Sequence, residues 1–291
     1  MSEAGPAQQT LDAVAREIVG APYAASLGVR VDRLSGDAAR LRLPYSDVNS
    51  NPGGALHGGC AASLGVLASQ ALARATLGAE AGPWHTVALQ TSYLAAAIGE
   101  EVVADACLLR RGRELCFARV DVATVGGKPI ATTTASVRGR SGAPSAALPI
   151  ARGDDGGADP GRMGPHVGKV PFVAARGITV EHMMDGASRL RMPASAANAD
   201  SAGSVHEGAV LALLDTTGAM ASWAETGIGP YRASTTALQA QVLAPPPAAD
   251  LVAFGRCVAR DGETLWSDVE VARTDTREQI ARGTVMYRIV T

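Results

Sequence analysis

The stretch Asn51–Gly59 reads NPGGALHGG and runs directly into an apolar segment, CAASLGVLASQALARA, at residues 60–75. Two glycines after His57 allow the backbone N–H groups at a helix start to approach a ligand closely. These amides carry the positive end of the helix dipole and can stabilise a developing oxyanion. The stretch therefore predicts a buried helix, about Gly58 to Ala75, with His57 at its entrance.

The same pattern recurs later in the chain at a fixed offset. His206 lies 149 residues after His57 in DSAGSVHEG, which is followed by AVLALLDTTGAMASWA at residues 209–224. The offset also relates Pro22-Tyr23 to Pro171-Phe172, Arg40–Pro44 to Arg189–Pro193, Ala88–Gln90 to Ala237–Gln239, and Val120 to Val269. Chance does not keep one offset through so many positions, so the chain contains an internal duplication whose two copies should pack as a pseudo-symmetric pair.

Each copy has the order of a short helix, a hairpin, a long helix and an antiparallel meander, as expected of an α+β fold. In the first copy, residues 11–19 have the spacing of an amphipathic helix, and alternating apolar residues after Gly82-Pro83 indicate strands. Residues 139–168 are dense in Gly, Pro, Ala and Asp. We therefore expect an N-terminal domain at 1–138, a linker at 139–168 and a C-terminal domain at 169–291.

Composition narrows the class of protein. A formal charge of −2 and 47% hydrophobic residues give no net-charge attraction to nucleic acid or membrane. The four cysteines show no metal-ligand spacing, and the first residues, MSEAGPAQQT, lack the features of a signal peptide. We expect a cytoplasmic protein with reduced thiols, without a cofactor or metal.

A long helix wrapped by an antiparallel sheet and entered through N-x5-H-G-G resembles the hotdog fold, and in particular the PaaI-type acyl-CoA thioesterases. The resemblance covers both copies. It implies two tandem hotdog domains, an acyl-CoA or other acyl thioester as substrate, and an Asp nine residues after the histidine as general base or nucleophile. Hotdog proteins also include dehydratases and binders without catalytic activity, so the fold alone does not fix the chemistry.

The two copies depart from the family pattern at different positions. The first copy keeps Asn51 and the glycine pair after its histidine, but Val66 stands at the acid position. The second copy keeps the acid as Asp215, but Asp200 replaces the Asn and Glu207 replaces the first glycine. Neither copy is complete by itself.

Helix geometry predicts how the parts combine. A rise of 1.5 Å and a turn of 100° per residue place Asp215 about 13 Å along the helix from His206 and half a turn around it. The two cannot converge on one thioester carbon, so the turn of one copy must meet the acid of the other. The complete pairing joins Asn51, His57 and Gly58 to Asp215. The opposite pairing, with Val66, should lack an acid and be inactive.

In this hypothesis the Gly58 amide polarises the thioester carbonyl, and Asp215 deprotonates water or attacks directly. The family's hydroxyl residue on the strand after the helix corresponds to Thr235. Ser234 is adjacent and faces the other side of a strand, so only one of the two can serve. Gly59 completes the tight backbone feature at the helix start, and Gly59 and Ser234 are candidates to contact the substrate.

His57 and Asn51 each allow a functional and a structural interpretation. Both would shape the turn and orient the acyl group or water, although a capping histidine and an Asx turn account for them equally well. The persistence of His206 in the copy predicted to be inactive favours a structural part for the histidine. Arg111 and Arg113, in a run of three arginines, are candidates to bind CoA phosphates, or simply a solvated hairpin tip.

The sequence thus predicts an acyl-CoA thioesterase with a single site between its two halves, assembled as a homodimer of tandem chains. One alternative is a degenerate pair that binds acyl-CoA without turning it over. A hotdog hydratase or dehydratase is disfavoured, since the His-to-carboxylate spacing of those enzymes is missing.

Overall fold

A computed structural model describes residues 6–78, 81–140, 146–153 and 156–290 of the chain. Its elements repeat in the two halves. The first half contains α1 (Pro6–Gly20), α2 (Pro22–Leu27), β1 (Arg30–Leu34), β2 (Ala38–Leu43), α3 (Gly58–Leu77), β3 (His85–Tyr93), β4 (Val102–Arg111), β5 (Leu115–Thr124) and β6 (Pro129–Arg138). The second contains α4 (Gly164–Val167), α5 (Pro171–Ala175), β7 (Thr179–Met184), β8 (Ala187–Met192), α6 (Glu207–Thr226), β9 (Arg232–Val242), β10 (Leu251–Asp261), β11 (Thr264–Arg273) and β12 (Gln279–Val290).

All twelve strands form one antiparallel sheet in the order β1-β2-β4-β5-β6-β3-β9-β12-β11-β10-β8-β7. The second half of this order repeats the first in reverse, as a two-fold axis requires. The halves join where β3 pairs with β9, and Gln90 there lies opposite its own repeat partner, Gln239. The axis therefore passes through this residue pair, and the duplicated sequence forms the pseudo-symmetric double hotdog that was predicted.

The long helices α3 and α6 form the core between the two curved halves of the sheet. Both are apolar around nearly their whole circumference because each packs on its own sheet and on the other helix. Small residues allow the close approach: a side chain on Gly59 would lie 2.8 Å from the Ala212 Cβ atom. Contacts across this seam bring the entrance of each helix next to the middle of the other.

The structure corrects the predicted boundaries at several points. Helix α3 continues beyond Ala75 to Leu77, and α1 extends from Pro6 to Gly20 rather than over residues 11–19. The short helices α2 and α5 were not predicted, because six or five residues are too few for a helical repeat to be recognised. Each of them begins at a proline, which is favoured in the first turn of a helix.

The described part of the predicted linker packs against the second half of the chain. The Gln279 amide donates to the Pro149 carbonyl, and the Ala151 amide donates to the Arg277 carbonyl. Further along, the Met183 amide donates to the Asp159 carbonyl, and α4 packs on β7. These described residues are thus held against the second half of the sheet, at the start of β12 and along β7.

Among the described residues, one helix, Gly58–Leu77, has the length and apolar composition that a membrane crossing would need. In this fold 78% of that window is buried inside the protein, as expected of a core helix.

Candidate active site

The turn before α3 is built around Asn51. Its Oδ1 atom accepts hydrogen bonds from the Gly53 amide at 2.9 Å and from the Ala55 amide at 3.2 Å. Gly54 has a φ of +68°, which favours glycine. In the other half, Asp200 accepts the equivalent bonds from Ala202 and Ser204. Since a carboxylate fills this place as well as an amide, these contacts of the side chain form the turn.

His57 is the N-cap of α3. Its Nδ1 atom accepts a hydrogen bond from the Gly59 amide at 3.0 Å, and its ring stacks on Phe172 of the other half with centroids 4.5 Å apart. Burial lowers the pKa of His57 to about 4, so the imidazole is neutral at physiological pH. Because Nδ1 accepts, the single ring proton is on Nε2. The side chain can therefore offer an uncharged donor, but it is not a base in this arrangement.

Asp215 lies in the middle of α6 and is only 2% exposed. Its Oδ1 atom accepts a hydrogen bond from the Thr235 hydroxyl at 2.8 Å. Burial raises the pKa of Asp215 to about 6, and the bond from Thr235 opposes part of that rise. A carboxylate with a pKa near neutrality suits proton transfer, because it is ionised at pH 7 and still binds a proton readily.

The Asp215 carboxylate meets the turn of the other half at Gly58. A Cβ atom placed on Gly58 would lie 2.7 Å from the Oδ2 atom of Asp215, so a larger residue there collides with the carboxylate. Gly58 is the first residue of α3, and a helix leaves the amide of that residue without an internal acceptor. The N-terminal turn and the C-terminal acid therefore converge, as the cross-half pairing predicted.

Tyr93, at the end of β3, is a neighbour of the site that was not predicted. Its hydroxyl donates to the Gly58 carbonyl at 3.2 Å, which anchors the turn from the sheet. Burial is the main cause that raises the pKa of Tyr93 well above its ordinary value, and the negative charge of Asp215 adds to the rise. The phenol therefore stays protonated. The only sequence signal was an aromatic residue at the end of a strand, and this does not distinguish a site residue from core.

Two of the residues predicted to bind substrate, Ser234 and Gly59, have other positions or contacts. Ser234 is exposed on the opposite face of β9 from Thr235, so Thr235 is the hydroxyl residue that meets Asp215. The Gly59 amide is occupied by His57. A side chain at Gly59 would lie 2.8 Å from Ala212 and 2.9 Å from Phe172, which makes it a packing glycine rather than a ligand contact.

Arg111 and Arg113 lie at the tip between β4 and β5, and both are exposed. Leu115, just after the tip, pairs with Arg138, which in turn pairs with His85 at the start of β3. Tyr93 marks the other end of β3, about 27 Å away at the usual rise of a strand. The register therefore does not bring these arginines to the Asp215 site.

The opposite pairing, of the turn at His206 with helix α3, contains an acid, contrary to the prediction. Val66 is apolar as predicted, but the carboxylate of Glu207 reaches across the seam from the turn. Its oxygens accept from the Thr86 amide at 3.1 Å each, from Gln70 at 2.7 Å, and contact His85 Nδ1 at 2.9 Å. Thr86 is the repeat partner of Thr235, so this carboxylate lies beside the equivalent strand position. The sequence could not reveal this, because Glu207 stands at the place of a glycine rather than of the acid.

No cluster of three or more His, Cys, Asp or Glu side chains able to hold a metal ion occurs within residues 6–78, 81–140, 146–153 and 156–290.

Comparisons with known proteins agree with this architecture. Residues 47–138 match the family model described as the acyl-CoA thioesterase N-terminal domain. A Halobacterium salinarum protein, provisionally named an esterase, is 36% identical over 118 residues, which are 39% of this chain and 78% of that protein.

Two solved structures share the fold across nearly the whole chain. The tesB protein of Mycobacterium avium subsp. paratuberculosis has a TM-score of 0.63 at 12% identity and covers 97% of this chain and 100% of its own. A hot dog fold protein of unknown function from Alicyclobacillus acidocaldarius has a TM-score of 0.60 at 16% identity, covering 89% and 95%. With these full-length matches in fold, the family model and the identity to the esterase relative, the chain belongs to the hotdog-fold acyl-CoA thioesterase family.

Proposed function

We propose that this protein hydrolyses acyl-CoA thioesters at one site between its two halves, with Asp215 as the catalytic acid–base group. The observation that carries the proposal is the position of the Asp215 carboxylate against Gly58, the first residue of α3. One group there can activate a nucleophile while the other binds the carbonyl oxygen that the nucleophile charges. The assignment to the PaaI-type branch rests on the sequence motif.

In the proposed mechanism the thioester carbonyl oxygen accepts from the Gly58 amide at the positive end of the α3 dipole. Asp215 removes a proton from water as the water oxygen attacks the carbonyl carbon. The tetrahedral intermediate then collapses, breaking the carbon–sulfur bond. The proton held by Asp215 goes to the departing CoA thiolate, which restores the carboxylate. The products are a free acid and CoA.

The surrounding residues support this role without taking part as bases. Thr235 fixes the orientation of the Asp215 carboxylate through its hydrogen bond. His57, neutral and protonated on Nε2, caps α3 and can donate to the acyl oxygen or to water. Asn51 sets the shape of the turn and acts on the substrate only through Gly58.

Direct attack by Asp215 is the other form of the same proposal. It would give a mixed anhydride that water then hydrolyses. Label found in Asp215 after a single turnover in heavy-oxygen water would establish the anhydride form, because an anhydride opened at the aspartyl carbon keeps the water oxygen there. Direct attack of water leaves the protein unlabelled.

The proposal is tested by free thiol release from a panel of purified acyl-CoAs. The wild-type protein should turn over at least one of them, and Asp215→Asn should reduce that turnover while the protein remains folded. Turnover by Asp215→Asn equal to that of the wild type would remove Asp215 from the mechanism. Tight binding of acyl-CoA without any turnover would instead identify a binding protein.

We also propose that the chain acts in the cytoplasm and forms a homodimer, giving four hotdog units. All four cysteines are unpaired thiols, which suits a reducing compartment. Strand β1 ends the sheet on one side and offers its edge to a second copy, whereas the edge of β7 is partly covered by residues near Asp159. Sedimentation of the purified protein would measure the assembly.

A further inference from the structure

At the second pseudo-symmetric position, around His206 and Glu207, the structure contains a cleft of about 580 Å³. Clefts of this size commonly bind small molecules. Its apolar lining comes from α1, the Gly82-Pro83-Trp84 segment and Pro245-Pro246. The remaining wall is the turn Asp200–Glu207, which repeats the turn of the Asp215 site.

One donor in this wall is without a protein partner among the described residues. His206 is 6% exposed, and its Nδ1 atom accepts from the Gly208 amide at 2.9 Å. Burial lowers the pKa of His206 to about 4, so the ring is neutral and carries its proton on Nε2. The ring lines the cleft while its face stacks on Tyr23 at 4.9 Å. This N–H group belongs to a residue that lines the cleft, so it can donate to an acceptor from a ligand or water there.

The carboxylate beside it is already fully engaged. Each oxygen of Glu207 has two contacts, shared among the Thr86 amide, Gln70 and His85. The His85 Nε2 atom contacts the Val242 carbonyl at 3.1 Å, which can only accept, so that nitrogen carries a proton. A carboxylate held in this way has no lone pair left to activate water.

We propose that this cleft is a second acyl-thioester site that binds an uncharged acyl group and its carbonyl but does not hydrolyse it. The carbonyl oxygen would accept from His206 Nε2–H and from the amide of Glu207, the first residue of α6. This ligand class rests on the proposed function, because it is transferred from the Asp215 site through the two-fold repeat.

The charges around the cleft favour an uncharged acyl group. Three carboxylates line it, from Glu17, Asp200 and Glu207, against one guanidinium from Arg74. Arg74 is already paired with Glu17 at 2.6 Å. A carboxylate on the acyl chain would therefore add a like charge where no free cation is at hand.

The test uses the full-length protein and ketone analogues of acetyl-, hexanoyl- and lauroyl-CoA, in which a methylene group replaces the thioester sulfur. Calorimetry should find two equivalents bound per chain. Ala202→Trp places a large ring at the exposed rim of the cleft and should reduce this to one equivalent with acyl-CoA hydrolysis unchanged. Ser201→Trp, at the neighbouring exposed rim position, should do the same.

The matched control is Gly53→Trp, since Gly53 is the repeat partner of Ala202 and is also exposed. It should abolish hydrolysis and leave the one equivalent bound at His206. A single equivalent in the wild type, lost in Gly53→Trp and retained in Ala202→Trp, overturns the second site. Two equivalents without any hydrolysis by the wild type would overturn the proposed function and leave the second site standing.

Discussion

At the scale of single residues, the buried environment of Asp215 lowers the stability of the protein but gives the carboxylate a pKa that suits catalysis. A carboxylate buried in an apolar helix loses hydration, and that loss is why its pKa rises to about 6. The folded protein therefore binds this proton more tightly than the unfolded chain does. Burial of this carboxyl group does not lower the free energy of unfolding below the pKa of the unfolded chain. The destabilisation develops as the pH rises through the pKa of the folded protein. Function and stability thus oppose each other at this residue.

We expect Asp215→Asn to lose roughly a thousandfold in kcat, a typical contribution of an acid–base group. The same change should raise the free energy of unfolding at pH 7 by about 3 kcal/mol, since each of the roughly two pKa units corresponds to about 1.4 kcal/mol and an amide has no charge to bury. Thiol release and denaturant unfolding measure the two effects. Asp121→Asn, an exposed carboxyl on β5, should change neither. A less stable Asp215→Asn protein would contradict the burial argument.

The pH profile gives an independent check. Because the ionised Asp215 is required, kcat/KM should rise with pH through an apparent pKa near 6. Thr235→Val removes the bond that lowers this pKa, so the limb should move to higher pH. Thr86→Val is the matched change in the other half and should leave the limb in place, because Glu207 is bonded to the Thr86 backbone amide. A limb that moved equally in both variants would remove Thr235 from the site.

At the scale of elements, the first turn of α3 must bring a backbone amide against a carboxylate from another helix. Only a residue without a Cβ atom fits at Gly58, where that atom would lie 2.7 Å from Asp215. His57 caps the helix from one side, and Tyr93 bonds the Gly58 carbonyl from the sheet. The turn is thus held by its own cap, His57, and by Tyr93 from β3 before a substrate arrives.

Gly58→Ala should therefore lower kcat/KM by roughly a hundredfold, because the methyl group displaces the carboxylate or the carbonyl that it serves. Alanine is the better helix former, but its methyl group has no room beside Asp215, so the melting temperature should fall. Kinetics and thermal unfolding of the same preparation provide both values. Gly126→Ala is a suitable control, since its added methyl group would have only an ordinary 3.7 Å contact with Thr124. Wild-type kinetics in Gly58→Ala would show that substrate does not use this approach.

At the scale of the whole molecule, the two halves are joined by β3–β9 pairing, by the α3–α6 seam and by Glu207. Glu207 belongs to the second half, yet its partners Gln70, His85 and Thr86 belong to the first. All of these side chains except Thr86 are between 4% and 7% exposed, and Thr86 is fully buried. Breaking a buried charge network from one side leaves polar groups without partners, which is costly.

Glu207→Gln should accordingly destabilise the protein by about 3 kcal/mol. The NH2 group of the new side chain would face groups that also donate, where a carboxylate oxygen had accepted their hydrogen bonds. Activity below the melting transition should be retained, because Asp215 lies at the far end of β3. Urea unfolding and thiol release would be measured together. Glu263→Gln, at a half-buried carboxylate that pairs with Arg288, is the control and should cost less than about 1 kcal/mol. Loss of activity in the folded Glu207→Gln protein would mean that the two positions are coupled.

The sequence was sufficient for the two-fold plan. The constant offset determines that two equal units are present, and the rise of a helix separates His206 from Asp215 within one unit. Together they require the turn of one half to meet the acid of the other. Thr235 came from the family resemblance, which left Ser234 open beside it. The short helices escaped prediction because they are too brief to show periodicity.

Only the tertiary structure decided where long side chains end. In the sequence Glu207 only marks the loss of a glycine. In the structure its side chain reaches a strand of the other half and supplies the carboxylate that Val66 lacks. Tyr93 acts on a turn 35 residues away, and the strand register carries Arg111 and Arg113 to the end of the sheet away from Asp215. The physical reason is that a repeat fixes equivalent backbone positions, whereas a side chain of several bonds finds its partners through packing across the axis.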